Sequence, residues 1–278
     1  MTSHSLVRRL FCMKRSNDMT RPKTHAASLV GPPLATLVVV VTAWELAVRL
    51  LDVPRFLVPP PSAVISALLA DFTMLAGSTV TTARGALFGF FLSSVVGTGS
   101  GLVLSLSKTL ERGLYPYALF LQTVPLVAVA PLLVLWFGPG LRAVAVSAFI
   151  VSVFPIIANT LSKLRGVDPR LKDLFHLYGA TRFDTLFKLD LPFALPSIAT
   201  GLRIASGLAV IGAIVGEFVA GFAEGRAGLG ITVLAAYRQL RTDLLFAAVM
   251  LASLLGLALF AAVSVASALV LRRFRAPA

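Results

Sequence analysis

Apolar residues in this chain come in long blocks, separated by short polar segments. Blocks of about 20 residues suit a helix that crosses a bilayer. They fall at Pro33 to Leu51, Thr81 to Leu106, Tyr115 to Phe137, Leu141 to Leu161, Ser197 to Phe222 and Leu244 to Leu271. Six spans are expected. Between the first two, Phe56 to Ser62 carries three prolines and reads as extended. Ala63 to Leu75 follows as an amphipathic run too short to span, with Ser62 as its N-cap. Pro125 and Pro131 interrupt the third block. Broken helices are tolerated where they pack in protein or line a cavity, so this block is a candidate wall of a translocation path.

One stretch breaks the pattern. Leu171 to Pro196 is largely water-compatible between apolar blocks. Leu171, Leu174, Phe175 and Tyr178 have the spacing of one helix face. Asp168-Pro169 suits a helix start and Gly179 a left-handed stop. A second short helix fits Thr181 to Leu189, with Phe183, Leu186 and Phe187 on one side. Leu191-Pro192 and Pro196 are expected to close it. The reading is two short helices meeting at a glycine.

Composition agrees with a membrane protein. The 278 residues are 57% hydrophobic and 13% charged, about half the charge of a soluble domain. The net charge of +13 is spread over loops, which favours membrane orientation over nucleic-acid binding. With the 163–196 loop placed inside, seventeen Lys and Arg lie on the inner side and seven outside or at outer span ends; Arg203 falls within the fifth span. The positive-inside bias therefore puts both termini and this loop in the cytoplasm. Residues 1–30 read as a basic, disordered tail and 31–278 as the transmembrane domain, with Met13 and Met19 as alternative starts.

Chemistry is sparse. Cys12 stands alone, and His4, His25 and His176 are too scattered for a metal site. No Gly-x-x-x-x-Gly-Lys-Ser/Thr occurs, so any ATP-driven work must come from another polypeptide. No catalytic set is visible and no cofactor is expected. Glu45 and Arg49, four apart, can pair along the first span. Glu217, in the outer part of the fifth span, is a candidate gate or structural hydrogen-bonding group. Gly85, Gly89, Gly97, Gly99 and Gly101 suit close helix packing. Ala223 to Asp243, with Gly228-Leu229-Gly230, reads as an outer loop with no ligand contact.

Asp173-Leu174-Phe175, three residues, Gly179-Ala180 and then Leu191-Pro192 resemble the EAA loop of importer-type ABC transporter permeases. Asp stands for the usual Glu, and Leu-Phe for Ala-Ala. The Phe-Leu-x-Pro-x-Pro-Ser stretch resembles the nitrate, sulfonate and taurine branch of those permeases, and Gly-Leu-Gly after Glu217 resembles a further feature of the family. The resemblance implies an all-α, type I (MetI-like) permease fold in the bacterial inner membrane. It implies permeases pairing as a homodimer among membrane lipids, a cytoplasmic ATPase subunit and an extracytoplasmic solute-binding protein. Asp173, Leu174, Phe175, Tyr178, Gly179, Ala180, Leu191 and Pro192 would then form the coupling loop, and Pro125, Pro131 and Glu217 the path or gate. The solute would be a small oxyanion such as a sulfonate, taurine or nitrate, or else a pyrimidine-type cofactor precursor. A stand-alone secondary carrier and a membrane-embedded enzyme are the competing classes. The first lacks a visible internal repeat, the second convergent His, Asp or Glu.

Overall fold

The computed structural model describes residues 26–220 and 227–274, with side chains over 31–220 and 227–272. The basic tail expected over 1–30 lies mostly outside them. Every regular element among the described residues is helical. Five helices are long and apolar enough to cross a membrane, and a bent pair makes a sixth. The chain divides into two units, Met1–Val53 and Pro54–Ala278.

The first unit holds helix α1, Ala26–Leu50. Its acidic residue is neutralised as expected: Arg49 Nη2 lies 2.5 Å from Glu45 Oε1, one turn away.

The second unit begins with α2, Pro61–Ala70. Pro60, in extended conformation, is its N-cap, so Ser62 falls inside the first turn and does not cap it. Proline at the first helical position loses no bond there. Helix α3 runs unbroken from Phe72 to Ser105, starting nine residues before the expected span. Asp71, at the joint, accepts from Arg241 Nη2 at 2.7 Å.

The third span is broken once. Helices α4, Lys108–Thr123, and α5, Leu126–Phe137, meet at 100°. Pro125 crowds the residue before it out of the helical region, and Val124 sits at ψ 124°. The expected second interruption at Pro131 does not occur, because α5 continues through it. There only one backbone hydrogen bond is missing, and the helix ladder around it survives. A turn over Gly138 and Gly140, with φ of +78° and +104°, leads into α6, Leu141–Arg165.

Helix α6 is the spine of this unit. Between helices in lipid the attraction is mostly van der Waals, so small residues set the distance of approach. A Cβ on Gly85 would meet Val144 at 2.5 Å, and on Gly97 Ile156 at 2.9 Å. Gly89 faces Ala148 and Gly101 faces Thr160 in the same register. At the middle of this four-residue repeat, Ser152 donates to Ser93 Oγ at 2.9 Å. Gly99 takes no part, having open space where its side chain would be. On the other side of α6 lies α9, Leu191–Ala220. There Gly201, Gly212 and Gly216 meet Ile156, Ala148 and Ser147.

The segment between α6 and α9 holds α7, Pro169–Leu177, and α8, Arg182–Thr185. A π-helical turn, Leu186–Asp190, follows α8 and runs into α9. The expected stop at Leu191-Pro192 is therefore absent, and Pro196 also lies within α9. Leu191 N–H bonds Leu186 O, five residues back. The ladder is already shifted where Pro192 enters, so its missing N–H interrupts little. Helices α10, Leu229–Arg238, and α11, Thr242–Phe274, complete the unit. Leu229, Ala236, Leu244, Ala247 and Ala248 pack there with Val64 and Leu75. What reads as a loop after Ala223 is thus partly a buried helix; residues 221–226 are outside the described range.

Candidate functional site

Two polar constellations lie at opposite ends of the bundle. The first is the segment after α6. Asp168 caps α7, its carboxylate accepting from Arg170 N–H at 2.9 Å. The helix ends in a full Schellman arrangement. Gly179 N–H bonds His176 O at 2.9 Å, and Ala180 N–H bonds Phe175 O at 3.0 Å. Gly179 holds φ at +76°, where other residues are strained. Thr181 and Asp184 then form a capping box, with Asp184 N–H donating to Thr181 Oγ1 at 3.1 Å. Lys188 Nζ reaches Asp184 Oδ1 at 2.6 Å.

These local bonds rigidify a surface that is apolar and uncovered by the described residues. Leu177 and Tyr178 are each 85% exposed, and Leu171, Leu174, Phe183 and Phe187 are exposed too. Leu186 is buried, so it does not share a side with Phe183 and Phe187 as expected. The π turn rotates it into the protein beside buried Thr185 and Asp190. Leu174, Phe175, Tyr178, Gly179 and Ala180 line a cleft of about 460 Å³ with Asp184 and Lys188. Asp173 is exposed outside that cleft. Leu191 and Pro192 lie away from it at the root of α9, where Leu191 packs on Leu164, Ala194 and Ile198. Lys172 Nζ to Asp190 Oδ2, 3.2 Å, ties α7 back to the π turn.

The second constellation surrounds Glu217, which is 3% exposed. Its Oε2 accepts from Gly230 N–H at 2.7 Å and from Thr82 Oγ1 at 3.1 Å. Thr82 Oγ1 also accepts from Leu229 N–H at 2.8 Å, and Ser78 lies 3.0 Å from Thr232 Oγ1. Helices α3, α9 and α10 thus converge on one carboxylate. Gly228 and Gly230 press against it so closely that neither has room for a side chain. The Gly-Leu-Gly run is therefore the seat of Glu217 and not a surface turn. Thr82 and Thr232 were not legible beforehand, since nothing separates them from the other hydroxyls of their helices. Pro125 and Pro131 are not part of this network; Pro125 is the break at the foot of α5 and Pro131 lies within that helix. Among the described residues no three His, Cys, Asp or Glu converge as a metal site.

Residues 85–276 match the family model described as the binding-protein-dependent transport system inner membrane component. The chain belongs to that family. It is a multi-pass inner-membrane permease subunit of an ABC importer, a transport component and not an enzyme. Membership implies an ATPase and a solute-binding protein as partners. A probable ABC transporter permease from Haemophilus influenzae is 35% identical, over 82% of this chain and 91% of that protein. The riboflavin transport system permease of Chloroflexus aurantiacus is 32% identical, over 89% and 94%. An aliphatic sulfonates permease and a taurine permease of Escherichia coli, at 31% and 27%, cover 78% and 81% of this chain and 82% and 83% of their own lengths. They place this ABC permease in the nitrate, sulfonate and taurine branch. The inward-facing MetNI methionine ABC transporter shares its fold, with TM-score 0.61 over 74% of this chain and 99% of that one, at 19% identity.

Proposed function

We propose that this permease couples to its ATPase through the segment from Asp173 to Pro192 and carries a small oxyanion. The observation behind the coupling is mechanical. The exposed apolar ridge of α7 ends in a locked left-handed turn, and the helix after it runs through the π turn into α9. A push on the ridge is thereby delivered to a helix packed along the spine. Such a ridge fits helix-in-groove docking. Asp173, Leu174, Phe175, Tyr178, Gly179 and Ala180 form the docking part; Leu191 and Pro192 form the joint to the span. Two copies pair as a homodimer in lipid, with both termini and the loop in the cytoplasm. Pro125, Pro131 and Glu217 belong to the path or its gate.

The oxyanion reading is supported by relatives named for sulfonates and taurine. A heterocyclic solute is the second reading, supported by a relative named for riboflavin. Pull-down of tagged protein tests the coupling. Wild type should recover an ATPase subunit, and Gly179→Pro should lose it while still inserting in the membrane. Recovery unaffected by that change sinks the loop assignment. Labelling of a Lys172→Cys variant from the periplasmic side of intact cells would overturn the orientation.

A further inference from the structure

Arg203 has no role in either constellation, yet its position is the least comfortable of any cation described in the second unit. Gly201 packs on Ile156 and Gly212 on Ala148. Arg203 is therefore level with about residue 154 of α6, the middle of that 25-residue helix. Its Nε is buried with no hydrogen-bond partner, and its side chain forms no ion pair among the described residues. Elsewhere in this unit the buried or half-buried acidic side chains near cations are paired: Arg165 with Glu111, Lys172 with Asp190 and Arg241 with Asp71. Lys163 lies 4.4 Å from the centre of the Phe193 ring. Among the described residues, the other cations without such a partner, Arg84, Arg142 and Arg238 among them, are exposed.

The helix face of Arg203 continues through Gly207, Val210 and Ile214, at four, seven and eleven residues further on. Those three line an apolar cavity of about 590 Å³ between α9, α10 and α11, with Gly256 and Ser253 opposite. On α11, Ser264 Oγ is likewise buried without a partner. A guanidinium held at mid-membrane without a counter-ion marks a place where an anion is met. Its planar fork matches two oxygens of one oxyanion group.

We propose that Arg203 is the solute-recognition residue of the path and selects a solute bearing one small oxyanion group, sulfonate, carboxylate or bicarbonate-like, whose apolar remainder fits the adjoining cavity. This rests on the permease reading and narrows its solute class to the anion.

The test is uptake by cells carrying the complete transporter, with radiolabelled ethanesulfonate, bicarbonate and riboflavin as separate probes. Arg203→Gln should lower uptake of the transported anion about tenfold or more. Arg203→Lys keeps the charge but loses the fork, and should raise KM about tenfold with the maximal rate little changed. ATPase recovery in the pull-down should match wild type for both. Anion uptake within twofold of wild type in Arg203→Gln overturns the assignment. So does an unchanged KM in Arg203→Lys, the decisive variant if Gln fails to insert. Uptake of riboflavin and of neither anion also overturns it. Failure of the wild type to recover an ATPase would instead sink the coupling reading and leave the anion result separately readable.

Discussion

The seat of Glu217 and the segment around Gly179 are both built on glycines, for opposite reasons. At Glu217 the glycines are needed for space: Gly228 has an ordinary φ of −83°, but the carboxylate fills the place of its side chain. At Gly179 there is open space, and the backbone angle alone demands glycine. The bonds differ in the same way. Thr82 reaches Glu217 and Leu229 across 135 and 147 residues. The loop's capping box spans three. One region is a clasp that exists only when the bundle is assembled; the other is a preformed local shape with its apolar side uncovered. On the proposed coupling, the first holds the helices together and the second is the part a partner would grip.

The sharpest way to break this contrast is Gly228→Leu. It forces a side chain onto a buried carboxylate and should cost about 3 kcal/mol or more. Thermal unfolding of detergent-solubilised protein would show it, and an unchanged midpoint would mean that the clasp is not closed as described. Glu217→Leu strips Gly230 N–H of its acceptor and should cost about 1–3 kcal/mol. A Glu217→Gln control keeps an oxygen acceptor and should lose less. Gly179→Ala puts a side chain at positive φ, a strain of about 1–2 kcal/mol confined to the loop. Its unfolding midpoint should move less than that of Gly228→Leu, while ATPase recovery drops clearly. If the two midpoints fell equally, the loop would be part of the clasp and the distinction would vanish. Leu177→Ala is the mildest change. Stability should stay within about 0.5 kcal/mol, because the side chain touches little in the chain, and only ATPase recovery should weaken.

Much of this was legible residue by residue. The apolar blocks marked the spans, since a bilayer demands length and little charge of any helix that crosses it. Asp168, Pro169 and Gly179 marked both ends of α7, because caps act within one turn. Pro125 marked the break, through its clash with the residue before it. Where reading failed, proline was the usual cause. Pro131, Pro192 and Pro196 have the same local chemistry as Pro125, yet the helices run through them. Whether a missing hydrogen bond ends a helix depends on the packing on either side and on the register of the ladder, and neither is local. The π turn that joins α8 to α9 belongs to the same class of decision.

By itself, then, the sequence determined a membrane bundle, its spans, and the glycine turn that ends α7, because each depends on residues within a few positions of one another. Only the tertiary structure decided that Gly228-Leu229-Gly230 closes over Glu217 with Thr82, that α6 is the spine, and that Arg203 sits level with its middle without a counter-ion among the described residues. Those facts depend on which helix surfaces meet in the folded bundle, and no local preference encodes that meeting.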